Sequence, residues 1–214
     1  MPLTLYFLRH GQTAYSETGG YCGTPANDPG LTPAGIEMAN AFAAAYTSVP
    51  WNAILVSPLR RTIETAQPIC DATKIPMQLK PELQEIAYWE WEGMQPKEVD
   101  RQFHDAYVRW LTDPAWNAPP GGEKAVDIAL RGWKLIQDVE QTYKDGNVLL
   151  VSHKATIRIM LCVLLGIDVG RYRDRFAMPV GALTIVELGQ RGPFFHRIGD
   201  QCHLSERLRS LPST

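Results

Sequence analysis

Three short clusters of cationic and imidazole side chains stand out in this chain: Arg9-His10-Gly11, Arg60-Arg61 just after Ser57, and Ser152-His153-Lys154. Each follows a short apolar run. A guanidinium presents a rigid fork of donors that matches carboxylate or phosphoryl oxygens, and it keeps its charge. A neutral imidazole is a nucleophile or a proton carrier near neutral pH. One cluster alone carries little, because a single histidine after a strand is commonly a hydrogen-bonded core residue. Three such clusters brought to one place would make an anion site with a nucleophile inside it.

The elements that must bring them together are legible from periodicity. Leu3–Leu8 reads as a buried strand, and a loop rich in Gly, Pro, Asn and Asp follows from Thr18 to Gly30. Thr32-Pro33 opens a helix, with Thr32 as its N-cap and Pro33 at the first helical position. Ala53–Val56 is a second strand followed by a helix over Leu59–Asp71, and Met77–Leu79 is a short third strand. Pro96–Leu111 and Glu123–Tyr143 read as amphipathic helices. Asn147–Val151 is a strand, Ala155–Leu165 an apolar helix and Leu183–Glu187 a late strand. Strands interleaved with long helices predict an α/β fold: a three-layer α/β/α domain with a mostly parallel central sheet, in one domain spanning residues 1–214. In such sheets ligands bind beyond the carboxyl ends of the strands, where all three clusters lie.

Composition narrows the function classes. The 214 residues are 45% hydrophobic, and 21 Lys+Arg against 23 Asp+Glu leave a net charge of −2. That balance argues against a general nucleic-acid or anionic-membrane binder. The longest apolar run, Ile159 to Ile167, is too short to span a bilayer. The first residues lack the cationic region and cleavage site of a signal peptide, so a cytoplasmic protein is expected. Cys22, Cys70, Cys162 and Cys202 form no CxxC pair, and no Cys/His cluster has zinc-ligand spacing, so no metal or cofactor is expected.

The ordered motifs resemble those of the histidine phosphatase superfamily, the phosphoglycerate-mutase-like family, on its phosphatase branch. LRHGQT at 8–13 resembles LRHGET, and DPGLTPAG at 28–35 resembles DxPLTxxG. SPLRRTIETA at 57–66 resembles SPLxRAxxTA, which aligns Arg61 rather than Arg60 with the family arginine. LQEIAYWEWEG at 83–93 resembles LxEIDFGxWEG and places an acid at Glu85. PPGGE at 119–123, VLLVSHKATIR at 148–158 and DQCHL at 200–204 extend the match over most of the chain.

The resemblance implies a phosphoglycerate-mutase-like fold and a metal-independent phosphomonoesterase acting on a small phosphorylated metabolite. By that resemblance His10 attacks phosphorus, Arg9, Arg61 and His153 clamp the phosphoryl group, and Glu85 is the proton donor and later the base. Arg9, Ser16, Cys22, Gly23, Arg61, His153 and Lys154 are the substrate-binding candidates; Ser16 stands where the family has Asn, and Lys154 where a small residue is usual. Tyr88, Trp89 and Trp91 read as core or pocket wall. Glu123 is either a polar contact near the pocket or the first-turn acid of the next helix. Arg171 to Arg175 reads most simply as a solvated basic segment, or as an aid to an acidic substrate if it folds over the crevice. Two alternatives stand beside the phosphatase: a mutase of the same family, and a non-catalytic phosphate-binding domain. The absence of an obvious insertion between Glu85 and His153 speaks against the first, and the presence of the whole catalytic set against the second. The expected partner is a small phosphorylated metabolite, with no nucleic acid or membrane, and the protein a monomer or homodimer.

Overall fold

The computed structural model describes residues 2–213. Its axis is the parallel pairing of β1 (Leu3–Arg9) with β4 (Gly146–Ser152). β2 (Trp51–Val56) pairs parallel with the other side of β4, and the short β3 (Met77–Leu79) pairs parallel with β2. β5 (Leu183–Gly189) runs antiparallel to β1, and β6 (Gly192–Asp200) antiparallel to β5. The order is β3-β2-β4-β1-β5-β6, so the sheet is mixed, with a parallel block at its centre.

β6 has no counterpart in the expectation from sequence. Its run Gly-Pro-Phe-Phe-His-Arg lacks apolar alternation, because it is a largely exposed edge strand with only one neighbour. A turn at Gln190-Arg191 makes it the second arm of a hairpin, and Gly192, at φ 96°, supplies the left-handed backbone there.

Helices cover both faces, as the period-two pattern of β1 requires. Leu3, Leu5 and Phe7 point to one face, where they meet Leu135, Ile136 and Val139 of α5 (Ala125–Thr142) and Ile157, Met160 and Leu161 of α6 (Lys154–Leu165). Leu8, with Ile54, Val56, Leu149 and Val151, faces Phe42 of α2 (Pro33–Tyr46) and Ala66 and Ile69 of α3 (Arg60–Thr73). Each fully buried side chain of this kind contributes about 1.5–3 kcal/mol relative to exposure.

A third cluster lies outside the two faces. It joins Ile86, Tyr88 and Trp91 to Val99 and Trp110 of α4 (Pro96–Thr112), to Ala155 and Ile159 of α6, and to Tyr172 of α7 (Tyr172–Arg175). These aromatics stand beside the carboxyl end of β4, where α6 begins.

The register decides what meets at the strand ends. Arg9 is opposite Ser152 and Val56 opposite Val151, so the next residues, His10, Ser57 and His153, emerge side by side. The backbone continues the ladder: His10 N–H donates to the Ser152 carbonyl at 3.0 Å and Ser57 N–H to that of Val151 at 3.0 Å.

Behind His10 the chain is pressed against the start of α2. A β-carbon on Gly35 would sit 2.2 Å from the Gln12 carbonyl oxygen, and one on Gly11 would sit 2.5 Å from that of Gly35. Both neighbours are backbone, so neither yields cheaply. The Thr32 side chain caps the Gly35 N–H at 3.1 Å, and Thr32 N–H binds the Gln12 carbonyl at 2.9 Å. Gly35→Ala should therefore lower the unfolding free energy by about 1–3 kcal/mol, the usual cost of overpacking. Urea unfolding of the variant checks this; unchanged stability would mean that the two segments separate freely.

Candidate active site

His10 is nearly buried at the end of β1, with Nδ1 2.7 Å from the Gly11 carbonyl oxygen. A carbonyl only accepts, so Nδ1 carries the proton and donates, and Nε2 keeps its lone pair. Burial pushes the His10 pKa well below 6.5, and Arg61 and Arg9 push it further the same way. The ring is thereby held as a neutral imidazole in one tautomer.

His153 follows β4 and is fully buried, its ring centroid 5.3 Å from that of His10. Its Nε2 lies 2.7 Å from Ser57 Oγ, while Nδ1 is buried with no hydrogen-bond partner among the described residues. Burial, then Arg61 and His10, hold its pKa well below 6.5. A buried ring nitrogen without a partner costs free energy.

A cavity of about 280 Å³ opens on His10. Of the residues singled out from the sequence, Arg9, Ser16, Cys22, Arg61, Glu85 and Lys154 line it as well. Arg61 is buried and Asp28 holds it at 2.8 Å, whereas Arg60 is exposed and pairs with Glu64 at 2.7 Å. Arg61 also donates from Nη2 to the Cys22 carbonyl at 3.1 Å, leaving further guanidinium protons for a ligand. Arg9 donates from Nη1 to the Met178 carbonyl at 2.6 Å; burial lowers its pKa to about 9, and it stays cationic at neutral pH.

Glu85 reaches the start of α6. One carboxylate oxygen accepts from Ala155 N–H at 3.1 Å, and the other from Thr156 N–H and the Thr156 hydroxyl, each at 3.1 Å. Both oxygens are thus oriented by a helix N-terminus at the cavity wall. The segment carrying Glu85 is clamped from behind. Arg131 of α5 donates to the Gln84 carbonyl at 2.8 Å and to the Glu82 carbonyl, and pairs with Glu123 at 2.9 Å. Glu123 therefore acts through Arg131 and does not line the cavity.

Several expectations change on the structure, beginning with His153, which is fully buried and does not itself line the cavity. Gly23 does not line the cavity; its N–H donates to both Glu92 carboxylate oxygens at 2.9 and 3.0 Å, and its lack of a side chain admits the Ile86 carbonyl. Ser16 does line it, but its hydroxyl accepts from Thr13 N–H at 2.7 Å and donates to the Thr13 carbonyl at 2.8 Å, closing a helix cap. The Arg171–Arg175 run is not uniformly solvated. Arg173 turns into the cavity, its guanidinium carbon 4.0 Å from the centre of the Trp110 ring, while Arg171 and Arg175 are exposed. The Cys22 thiol donates to the Asn27 carbonyl at 2.6 Å, and burial pushes its pKa up to about 12, so it serves as a protonated structural group.

Asp28, Ser57, Glu92 and Arg131 were not singled out from the sequence, because each acts through a partner far along the chain. Asp28, Ser57 and Glu92 lie inside the quoted motifs, which is the one signal available. Trp91 is fully buried core, Tyr88 is wall, and Trp89 is exposed.

Comparison with known proteins agrees with this arrangement. A family profile described as "Histidine phosphatase superfamily (branch 1)" matches residues 5–201. Phosphoserine phosphatase 1 of Hydrogenobacter thermophilus is 27% identical over 202 residues, covering 94% of each chain. The glucosyl-3-phosphoglycerate phosphatase of Mycolicibacterium vanbaalenii is 34% identical over 175 residues, covering 78% of this chain and 76% of its own. Among solved structures, Bacillus stearothermophilus YhfR superposes with a TM-score of 0.88 at 25% identity, over 95% of this chain and all of that one. No helix among the described residues is long and apolar enough to cross a membrane. A profile match over nearly the whole length, on a chain that sets two histidines and two arginines at the ends of parallel strands, places this protein in the histidine phosphatase superfamily, branch 1.

Proposed function

We propose that the protein hydrolyses a small phosphomonoester in two displacements through a phosphohistidine on His10. The observation that carries this reading is the His10 tautomer: Nδ1–H is tied to the Gly11 carbonyl and a neutral Nε2 is left beside Arg61 and Arg9 in an open cavity. In the first displacement the Nε2 lone pair bonds to phosphorus, and the bond to the ester oxygen breaks with its electrons on oxygen. Glu85, in its acid form, gives that oxygen a proton. In the second, Glu85 takes a proton from water as the water oxygen bonds to phosphorus and the P–N bond breaks. Arg9, Arg61 and a proton on His153 oppose the charge on the equatorial oxygens, where one arginine is worth about 10³-fold or more in rate. The named activities of the relatives, on phosphoserine and on glucosyl-3-phosphoglycerate, support a small phosphorylated substrate. A cytoplasmic location fits such a substrate.

His10→Ala should abolish turnover, and acid quench of the wild-type protein with labelled substrate should trap label on His10, stable in alkali and lost in acid. Full turnover by the variant would remove the phosphohistidine.

Glu85→Gln separates proton donation from clamping. The rate of phosphohistidine formation should fall by about 10²–10⁴ with an alkyl phosphate, whose leaving oxygen needs a proton, and be nearly spared with p-nitrophenyl phosphate. Equal losses in the burst phase with both substrates would move the acid role to another residue.

The two neutral imidazoles also set a pH dependence of stability. Below about pH 6.5 the unfolded chain binds protons that folded His10 and His153 refuse, so stability falls as pH drops from there towards their lower folded values. Between about pH 7.5 and 5.5 each should cost on the order of 1 kcal/mol. Urea unfolding of wild type against a His10→Gln, His153→Gln variant measures the difference; parallel pH profiles would show that the rings protonate freely in the fold.

A further inference from the structure

One part of the cavity is unused by the two displacements. Lys154, Arg158 and Arg173 all line it, and among the described residues none of the three makes an ion pair or a hydrogen bond through its side chain. Arg158 Nε and Arg173 Nη1 are buried without any partner atom.

The placement of these cations is unfavourable for the protein alone. Lys154 is the first residue of α6 and Arg158 lies one turn further on the same face. Like charges at that spacing repel, and the positive end of a helix is a poor place for a cation. Arg173 comes from α7 and lies over Trp110 of α4. Two elements, α6 and α7, thus aim three positive charges at one space. Burial and the neighbouring Arg9 and Arg158 lower the Lys154 pKa to about 7, which reports the same crowding.

The phosphoryl group does not need them. It carries two negative charges, and Arg9 and Arg61 already stand by His10, with Asp28 on Arg61. Glu85 is the only carboxylate lining the cavity among the described residues, and its oxygens are held by Ala155 and Thr156. A small ester with a neutral remainder would leave three cations facing no anion.

We propose that Lys154, Arg158 and Arg173 form a second anion subsite, which selects phosphomonoesters carrying a further anionic group, a carboxylate or a second phosphate, on the part of the molecule that leaves. Tyr21, Tyr88 and Trp110 wall the space between and would flank the carbon chain. This rests on the phosphatase reading above and adds the substrate class to it.

The test is a matched series on a three-carbon chain: 3-hydroxypropyl phosphate, 3-phosphonooxypropanoate and propane-1,3-diyl bisphosphate. Wild-type kcat/KM should favour at least one anionic member over the alcohol by about 10- to 100-fold, the range of a charge-assisted hydrogen bond, after allowing for the two equivalent ends of the bisphosphate. Whichever anionic member leads identifies the group that the subsite takes. In Lys154→Met and in Arg173→Met the ratio of anionic to neutral ester should fall by about 10-fold, read within each variant so that general damage cancels. Equal turnover of all three esters by the wild-type protein overturns the subsite, and a ratio kept in full by both variants overturns the assignment of these residues. If no phosphate is released from any of the three or from p-nitrophenyl phosphate, the phosphatase reading fails instead. Calorimetric binding of the same esters to His10→Ala then decides the subsite on its own: tighter binding of the anionic members upholds it, and equal binding overturns it.

Discussion

Burying guanidinium groups next to a neutral imidazole is the constraint on which the rest of this structure turns. A buried charge is costly unless it is paired or hydrogen-bonded, and Arg9 and Arg61 are both nearly inaccessible to solvent. The fold answers with specific partners. Arg61 is held by the Asp28 carboxylate and the Cys22 carbonyl, and Arg9 donates to the Met178 carbonyl from the loop before β5 and to the Ser213 hydroxyl, among others. Both keep positive charge directed at the cavity. Burial first, and then the field that results, hold His10 and His153 neutral, and neutrality is the state in which an imidazole nitrogen can attack phosphorus. The same arrangement that makes the anion welcome prepares the nucleophile.

The sheet supplies the precision this requires. His10 and His153 belong to segments far apart in sequence, and they meet because β1 and β4 pair in parallel with Arg9 opposite Ser152. A slip of one residue would send each side chain to the other face. The two antiparallel strands on the β1 side leave this edge untouched, yet they bring the Met178 carbonyl and the Ala182 carbonyl against Arg9. Close backbone contacts at Gly11 and Gly35 then fix the path of the chain beyond His10.

Glu85 is positioned by a different device. It lies on an irregular segment with only 3-10 turns on either side, Pro81–Leu83 and Trp89–Trp91. Such a segment has no ladder to hold it, so its polar groups are tied to neighbours: Glu85 to the start of α6, and the Glu82 and Gln84 carbonyls to Arg131. α6 accordingly has two roles, since its N–H groups orient the carboxylate while Lys154 and Arg158 set the charge of the cavity.

Strand and helix positions, the N-cap at Thr32 and the three cationic strand ends were legible in the sequence because each depends on residues within a few positions of one another. The motifs extended this to His10, Arg61, Glu85 and His153, including the choice of Arg61 over its neighbour Arg60. What lay outside local reach was decided by tertiary contacts. Asp28 becomes the partner of Arg61 only when the loop after β1 folds over α3, and Glu85 meets Ala155 across 70 residues of chain. Gly23 faces Glu92 because the same loop packs on the Glu85 segment, and Arg173 enters the cavity because Trp110 offers its ring. The direction of β5 and the existence of β6 likewise follow from which sheet edge was left open. Periodicity records which face of an element is buried; it holds no record of which distant group will share that burial, and it is that pairing which sets the charge and the shape of the site.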